Sequence, residues 1–283
     1  MIKNKVSQKL LVIGATAALF TAACSSIMAG EDKAASTDAI QAAVSSELRA
    51  GQSERDQYRR PAQTLEFLGL QDDMTVVEVS PGGGWYTSVL NPIVKDKGQL
   101  YAAHFHMFDG APGYFQRSLD GFKKKVAENP LFENIEITEF HQTKALDIAP
   151  AGTADMVLTF RNVHNWYMQD GDLGVENAFK AFNKALKSGG VLGVVEHRMP
   201  ESLDQVANKR SGYMKQSYVV AMAEKAGFKL EASSEINANP KDSAQHPRGV
   251  WTLPPRLALG DQDKQKYLDI GESDRMTLKF VKL

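Results

Sequence analysis

The chain has 283 residues, a formal net charge of −1 and a single cysteine, Cys24. One cysteine excludes an intramolecular disulfide, and a mildly acidic chain lacks the broad cationic surface that nucleic-acid binding requires. An apolar fraction of 43% is ordinary for a globular protein with a sizeable core.

Residues 1–23 read as an export signal. Lys3, Lys5 and Lys9 make a basic start, and Leu10 to Ala23 form an apolar stretch too short to span a bilayer comfortably, ending in small residues. Those three lysines leave with the segment and no acid does, so the charge moves from −1 to −4. Cys24 directly follows Thr21-Ala22-Ala23, which resembles a lipobox, the site where a bacterial lipoprotein is cut and acylated, with Thr21 where a larger aliphatic residue is usual. The expectation is an exported chain, periplasmic or outer-membrane-associated, with membrane attachment through a lipidated Cys24. A single acyl chain binds weakly, so firm anchoring would take the further chains that lipoproteins carry.

Residues 24–36 are small and polar and read as a tether. Ile40, Val44 and Leu48 then recur at helical spacing, and Pro61, Leu65 and Leu68 stopping at Gly69 predict a second helix, so residues 37–70 form an N-terminal helical cap. From Thr75 strand and helix patterns alternate. Strands are predicted over Thr75 to Ser80, Gln99 to Phe105, Ile135 to Phe140, Ala154 to Phe160, Val191 to His197, Phe228 to Ala232 and Thr277 to Leu283. Helices are predicted over Thr87 to Val94, along Phe115, Leu119, Phe122 and Val126, and from Tyr218 to Lys225. Another runs along Val175, Phe179, Phe182 and Leu186 and is closed by Gly189-Gly190. Several strands are apolar on both faces, which predicts a doubly wound, Rossmann-like α/β fold with a mostly parallel sheet over residues 37–283. Residues 237–273 break the rhythm with four prolines, and Trp251, Leu253 and Leu257 predict an ordered insertion loop before the last strand.

The first strand leads into Gly82-Gly83-Gly84, where a doubly wound sheet would bind a ligand outside its carboxyl ends and glycine lets backbone approach it. The absence of a Gly-Lys-Ser/Thr ending excludes a standard phosphate-cradling P-loop. The spacing Glu78-x-Ser80-x-Gly82-x-Gly84 resembles the acidic-x-Gly-x-Gly-x-Gly turn of class I S-adenosylmethionine-dependent methyltransferases. Ala154 to Phe160 is similar to that family's fourth strand, and Ala185 to Leu192, with Gly189-Gly190, to its approach to the fifth. More narrowly, the mature chain with its tail Gly271 to Met276 resembles a group of exported bacterial proteins described only as predicted methyltransferases.

The resemblance implies six parallel strands and an antiparallel last one. It implies S-adenosylmethionine as cofactor, with its amino-acid end against Gly82, Gly83 and Gly84 and with Glu78 orienting the turn or the ligand. Two positions depart from the family pattern. Ser80 replaces the first glycine, so its backbone is expected to avoid positive φ. His104 stands where the family places an acid on the ribose hydroxyls, and a neutral imidazole accepts one hydrogen bond where a carboxylate could take two.

Related methyltransferases carry acceptor-contacting residues after the fourth strand, where this chain has Arg161, Asn162, His164, Asn165 and Trp166; His197 follows the fifth. His164 is the choice for general base, because an unperturbed imidazole titrates near neutral pH. Tyr58-Arg59-Arg60 is a candidate to close over the cofactor. His104, His106, His164 and His197 all fall near carboxyl ends of predicted strands, and a His-x-His pair with further imidazoles can hold Zn²⁺ or Cu²⁺. Hydrogen-bonding histidines are the favoured reading and no metal is expected. His141 and His246 are expected at loop or surface positions.

The function expected is methyl transfer to a small-molecule acceptor outside the cytoplasm. Because S-adenosylmethionine is made in the cytoplasm, the alternative is an exported non-catalytic binding protein for a nucleoside-like ligand or a metal ion. A dinucleotide-dependent oxidoreductase fits less well, since the second-strand acid it would want is also missing.

Overall fold

The computed structural model describes residues 36–283. The export signal, Cys24 and nearly all of the tether lie outside the described residues. Among the described residues no helix is long and apolar enough to cross a membrane.

Residues 36–45 (α1), Asp56–Arg59 (α2) and Pro61–Leu68 (α3) form the N-terminal cap. Pro61 opens α3, where its missing N–H costs nothing, and Gly69 closes it at φ 84 with its N–H on the carbonyls of Leu65 and Glu66. The alternating region then runs β1 (Thr75–Val79), α4 (Thr87–Val94), β2 (Gln99–Phe105), α5 (Gly113–Glu128), β3 (Glu136–Phe140) and β4 (Ala154–Phe160). It continues through α6 (Val163–Ala185), β5 (Leu186–Met199), β6 (Met214–Lys215), α7 (Gln216–Lys225), β7 (Phe228–Ser234), α8 (Lys264–Ile270) and β8 (Arg275–Lys282).

The main sheet has the order β3-β2-β1-β4-β5-β8-β7, with β6 paired to β5 off this path. β8 runs antiparallel to both β5 and β7, and the pairings from β3 to β5 are parallel. The expected reversal of the last strand is therefore present. The chain leaves β1 toward β2 and β3, then returns to β1's other side for β4, so the switch point lies between the carboxyl ends of β1 and β4.

Alternation along the strands divides the core into two layers. Val77, Val79 and Val157 pack with Phe179 and Phe182 of α6, whereas Val76, Met156 and Leu158 pack with Leu65, Leu68 and Leu90 of α3 and α4. Both faces are covered, which is why these strands read as nearly continuous apolar runs.

Several helix boundaries differ from the sequence expectation. α1 stops at residue 45, so Leu48, expected to continue its apolar stripe, falls in a 3₁₀ turn and is exposed, and α7 starts at Gln216, two residues before the expected Tyr218. Leu186 is the first residue of β5, with extended backbone at φ −72 and ψ 144, so α6 ends at Ala185 and Gly189-Gly190 lie inside the strand. Leu186 pairs with Ala154 across a register shift, and this pairing rather than a glycine stop ends the helix. At its other end α6 begins at Val163 and is kinked at Gly171, φ 62 and ψ −146, so its first segment carries residues expected only to follow a strand.

The insertion between β7 and β8 is ordered, and it contains α8 and a 3₁₀ turn at Gly249–Thr252. Its two ends are tied at a neck. Arg275 N–H donates to the Asn237 carbonyl (3.2 Å), and the Asn237 amide donates to Thr64 and Thr277 hydroxyls (2.9 Å each). Asn239 adds bonds from its amide to the carbonyls of Ile270 (2.8 Å) and Glu272 (2.6 Å).

Candidate functional site

A cavity of about 610 Å³ opens at the switch point. Ser80 to Gly83 after β1, Arg161, Asn162, His164 and Asn165 after β4, His197 of β5, and Trp251 and Leu253 of the insertion all border it. Its volume falls within the range of small-molecule sites.

The chain leaves β1 and β4 in the same way. Ser80 N–H extends the ladder by donating to Ala103 (2.8 Å), and Arg161 N–H does so to Val195 (2.7 Å). Both residues are left-handed, Ser80 at φ 52 and Arg161 at φ 63. The expectation that Ser80 would avoid positive φ is thus corrected: the abrupt exit from the sheet imposes that conformation on whatever residue stands there. Strain of this kind in non-glycine residues concentrates at functional sites.

In the glycine turn the carbonyls are engaged from behind. His104 Nε2–H donates to Gly82 O (3.1 Å), its tautomer set by Phe105 N–H donating to Nδ1 (2.8 Å), and the Lys125 ammonium donates to Gly83 O. Gly84 N–H bonds back to Pro81 (3.0 Å), while no hydrogen bond among the described residues uses the N–H of Gly82 or Gly83. A Cβ at Gly82, φ 59, would meet nothing within 4 Å. At Gly84, φ 76, it would stand 2.6 Å from the Phe132 ring, so that glycine is required by packing and backbone conformation, and Gly84 does not border the cavity.

His104 also departs from expectation. It is fully buried with its ring 5.1 Å from that of Phe122, it does not border the cavity, and burial holds its pKa below the usual imidazole value. It braces the turn from beneath instead of presenting itself to a ribose. Glu78 is likewise buried and accepts from the Thr87 hydroxyl (2.5 Å). Burial pushes its pKa up to about 7 against the pull of Thr87 and Arg161.

His164 and Glu196 form a buried pair. Nδ1 of His164 lies 2.9 Å from Glu196 Oε1, and the same carboxylate accepts from the backbone N–H of His164 (3.3 Å) and His197 (2.8 Å). Glu196 thereby fixes the tautomer and leaves Nε2 as the ring nitrogen available to a ligand. His197 Nδ1 is bonded to Ser273 Oγ (2.5 Å), and burial, followed by His164 and nearby arginines, holds His197 neutral well below the usual range.

Among the described residues, His164, Glu196 and His197 are the group whose ligand atoms lie close enough, within 4.8 Å, to share a metal. Arg59, Arg161 and Arg275 all act electrostatically on His197, which opposes a cation there. The convergence expected of His104, His106 and His164 does not occur. β2 stops at Phe105, His104 turns under the glycine loop, and His106 pairs with Glu139 (2.7 Å). His141 and His246 lie in loops but their side chains are largely buried.

Asn162 and Asn165 both border the cavity, and the Asn162 amide donates to Val79 O (3.1 Å), tying the exit of β4 to that of β1. Trp166 is a core residue, set edge-on to Phe140 and Phe182, and touches only a second cavity of about 270 Å³ lined by Phe105, Tyr114 and Phe115. That aromatic cavity shares Ser80, Asn162 and Asn165 with the larger one.

Sequence reasoning singled out Arg59 but missed Arg55, Arg275 and the Glu272 carboxylate that gathers all three. Arg55 Nε lies 2.5 Å from Glu272 Oε1, Arg59 Nε 3.7 Å from Oε2, and Arg275 donates to Oε2 as well. Burial alone would raise the Glu272 pKa, but Arg275, Arg55 and Arg59 hold it down to about 2. Arg59 lies over the Trp85 ring at 4.2 Å; burial, then Arg161 and Arg55, push its pKa down to about 8. Tyr58 and Arg60, expected with Arg59 to close over a cofactor, do not border the cavity. The one sequence signal was the polar run Glu272-Ser273-Asp274-Arg275 directly before an apolar strand.

No family model and no curated protein matches the chain. Solved structures do. An S-adenosylmethionine-dependent methyltransferase from Aquifex aeolicus is 16% identical, with 81% of this chain and 93% of that one covered and a TM-score of 0.52. A candidate sarcosine dimethylglycine methyltransferase from Galdieria sulphuraria is 12% identical, with coverage of 79% and 87% and a TM-score of 0.52. The [4+2]-cyclase SpnF is 14% identical, with coverage of 79% and 81% and the same TM-score of 0.52, an example of this architecture under a different chemical name. The chain therefore has the fold of class I S-adenosylmethionine-dependent methyltransferases.

Proposed function

We propose that the protein is an S-adenosylmethionine-dependent methyltransferase acting outside the cytoplasm on a small-molecule acceptor. The observation that carries this reading is the Ser80–Gly83 turn. Its glycine carbonyls are engaged by His104 and Lys125, the N–H groups of Gly82 and Gly83 are left to a ligand, and it borders a cavity that His164 also lines.

The residues present fit the cofactor. Ser80, Asn162 and Asn165 border both cavities; the aromatic one, with Phe105, Tyr114 and Phe115, suits a flat base, and the glycine turn of the other suits an amino-acid end. When bound, S-adenosylmethionine supplies an electrophilic methyl group. The chain's own part is to hold donor and acceptor in line and to accept the acceptor's proton. His164 takes that proton at Nε2 while Glu196 holds the ring through Nδ1 and balances the positive charge that forms.

Export rests on the basic start and apolar run of residues 1–23, and membrane attachment on Cys24. Full-length, unprocessed protein in the cytosolic fraction would overturn it.

The cofactor is tested by thermal unfolding of the purified protein with S-adenosylhomocysteine and S-adenosylmethionine. A ligand at a hundred times its dissociation constant stabilises by about 2.7 kcal/mol, which raises the melting temperature by several degrees at this chain length. No shift with either compound at millimolar concentration overturns the methyltransferase reading and leaves the exported binding protein in its place.

A further inference from the structure

The large cavity is lined by six cationic side chains, Arg55, Arg59, Lys125, Arg161, Arg256 and Arg275, against two carboxylates, Glu78 and Glu272. Four of the arginines act on one another around Glu272, whose two oxygens cannot satisfy four guanidinium groups. Arg55 Nη2, Arg59 Nε and Nη1, and Arg275 Nε are buried without a hydrogen-bond partner, although Arg59 and Arg275 are only 2% exposed. Orphaned donors in buried guanidinium groups are costly, and the protein does not supply their acceptors.

Arg161 belongs to the same cluster. It forms no side-chain hydrogen bond among the described residues, borders the cavity and stands on strained backbone at φ 63. Burial and Arg275 push its pKa down to about 10, so the cluster repels its own members. An oxyanion placed among these groups would complete the missing hydrogen bonds in the paired geometry that arginine favours.

We propose that the Arg55–Arg59–Arg161–Arg275 cluster receives a carboxylate or phosphate group of the methyl acceptor, which is therefore an acidic small molecule whose protonated nucleophile is served by His164. Identifying that molecule as the acceptor rests on the proposed methyl transfer, whereas the anion site stands on the arginines themselves.

The test is thermal unfolding and calorimetric titration of the purified protein with sodium phosphate and sodium malonate. Sodium chloride at matched ionic strength is the control, and each titration is run with and without saturating S-adenosylhomocysteine. At least one of the two oxyanions is expected to raise the melting temperature by several degrees beyond chloride, with or without S-adenosylhomocysteine; the tighter of the two tells a carboxylate from a phosphate site. Arg161→Gln is expected to raise the melting temperature of the unliganded protein, because it relieves repulsion, while weakening anion binding at least tenfold; Arg59→Gln weakens it likewise. Equal behaviour of both oxyanions and chloride overturns the proposal while leaving any S-adenosylhomocysteine shift intact. Loss of the anion shift under S-adenosylhomocysteine also overturns it, by assigning the arginines to the donor's own carboxylate. Anion binding in a protein that ignores S-adenosylhomocysteine overturns the methyl-transfer reading and with it the acceptor's identity. An Arg161→Gln protein that is less stable yet binds the anion normally overturns the role given to Arg161.

Discussion

Around Glu196 the polar side chains are matched: both carboxylate oxygens accept, His164 is held at Nδ1, and His197 meets Ser273. Around Glu272 they are not, since three arginines contact one carboxylate, a fourth adds repulsion, and several guanidinium nitrogens are buried without acceptors. Both clusters border one cavity and both are closed by residues just before β8. Under the roles proposed above, the difference separates two tasks. A satisfied network fixes a side chain in one orientation, as a proton acceptor requires, whereas an unsatisfied one sacrifices stability in the free protein and recovers it only when a ligand arrives.

The largest effect that would break this contrast is removal of the shared carboxylate. Glu272→Gln leaves buried arginines uncompensated and is expected to cost about 3–5 kcal/mol in urea unfolding at neutral pH. The Glu272 pKa is held near 2 in the folded state against 4.5 unfolded, so its contribution is fully present above pH 4.5 and is lost as pH falls toward 2. The parent and Glu272→Gln stability curves should therefore converge in acid. Equal stabilities at pH 7 would mean that solvent screens the arginines and that the two clusters do not differ.

Glu78 belongs to neither cluster and sharpens the comparison. With its folded pKa raised to about 7 from 4.5, the folded chain binds a proton through that window and the unfolded chain does not, so stability falls as pH rises through it. Glu78→Gln should match the parent near pH 4.5 and exceed it at pH 8 by on the order of 3 kcal/mol, read from melting curves across pH. A parent whose advantage grows with pH would contradict that burial.

The smallest effect concerns the satisfied side. Ser273→Ala removes one partner from His197 and should cost about 1–2 kcal/mol in thermal unfolding. The loss should be insensitive to phosphate, since Ser273 serves the network that needs no ligand. Rescue by phosphate would show that the two clusters act as one.

Legibility in the sequence followed separation along the chain. α4, β2 and β4 fall where apolar period and glycine placed them, because each is specified by neighbours a few residues apart. Leu186 continued the helical spacing of Val175, Phe179 and Phe182 so well that only its pairing with Ala154 of β4 reveals it as strand. The position of the glycine turn at the exit of β1 was readable, but not that His104 would turn beneath it, since that depends on packing against Phe122. The arginine cluster was least visible. Arg161 and Arg59 were singled out separately for the acceptor and the cofactor, but Arg55 meets Glu272 across 217 residues, and nothing local shows that these arginines gather around one carboxylate.

The neck of the insertion has a consequence for how the site can change. Asn237 and Asn239 fasten the two ends of the excursion to each other and to Thr64 and Thr277, so the return of the chain into β8 is held at the neck itself. The segment beyond the neck nevertheless supplies Trp251, Leu253 and Arg256 to the cavity wall. Lengthening such a closed loop carries only a slowly growing entropic cost. Descendants of this chain could therefore exchange one ligand for another by rewriting the loop as a cassette, while the strands and the glycine turn are inherited unaltered.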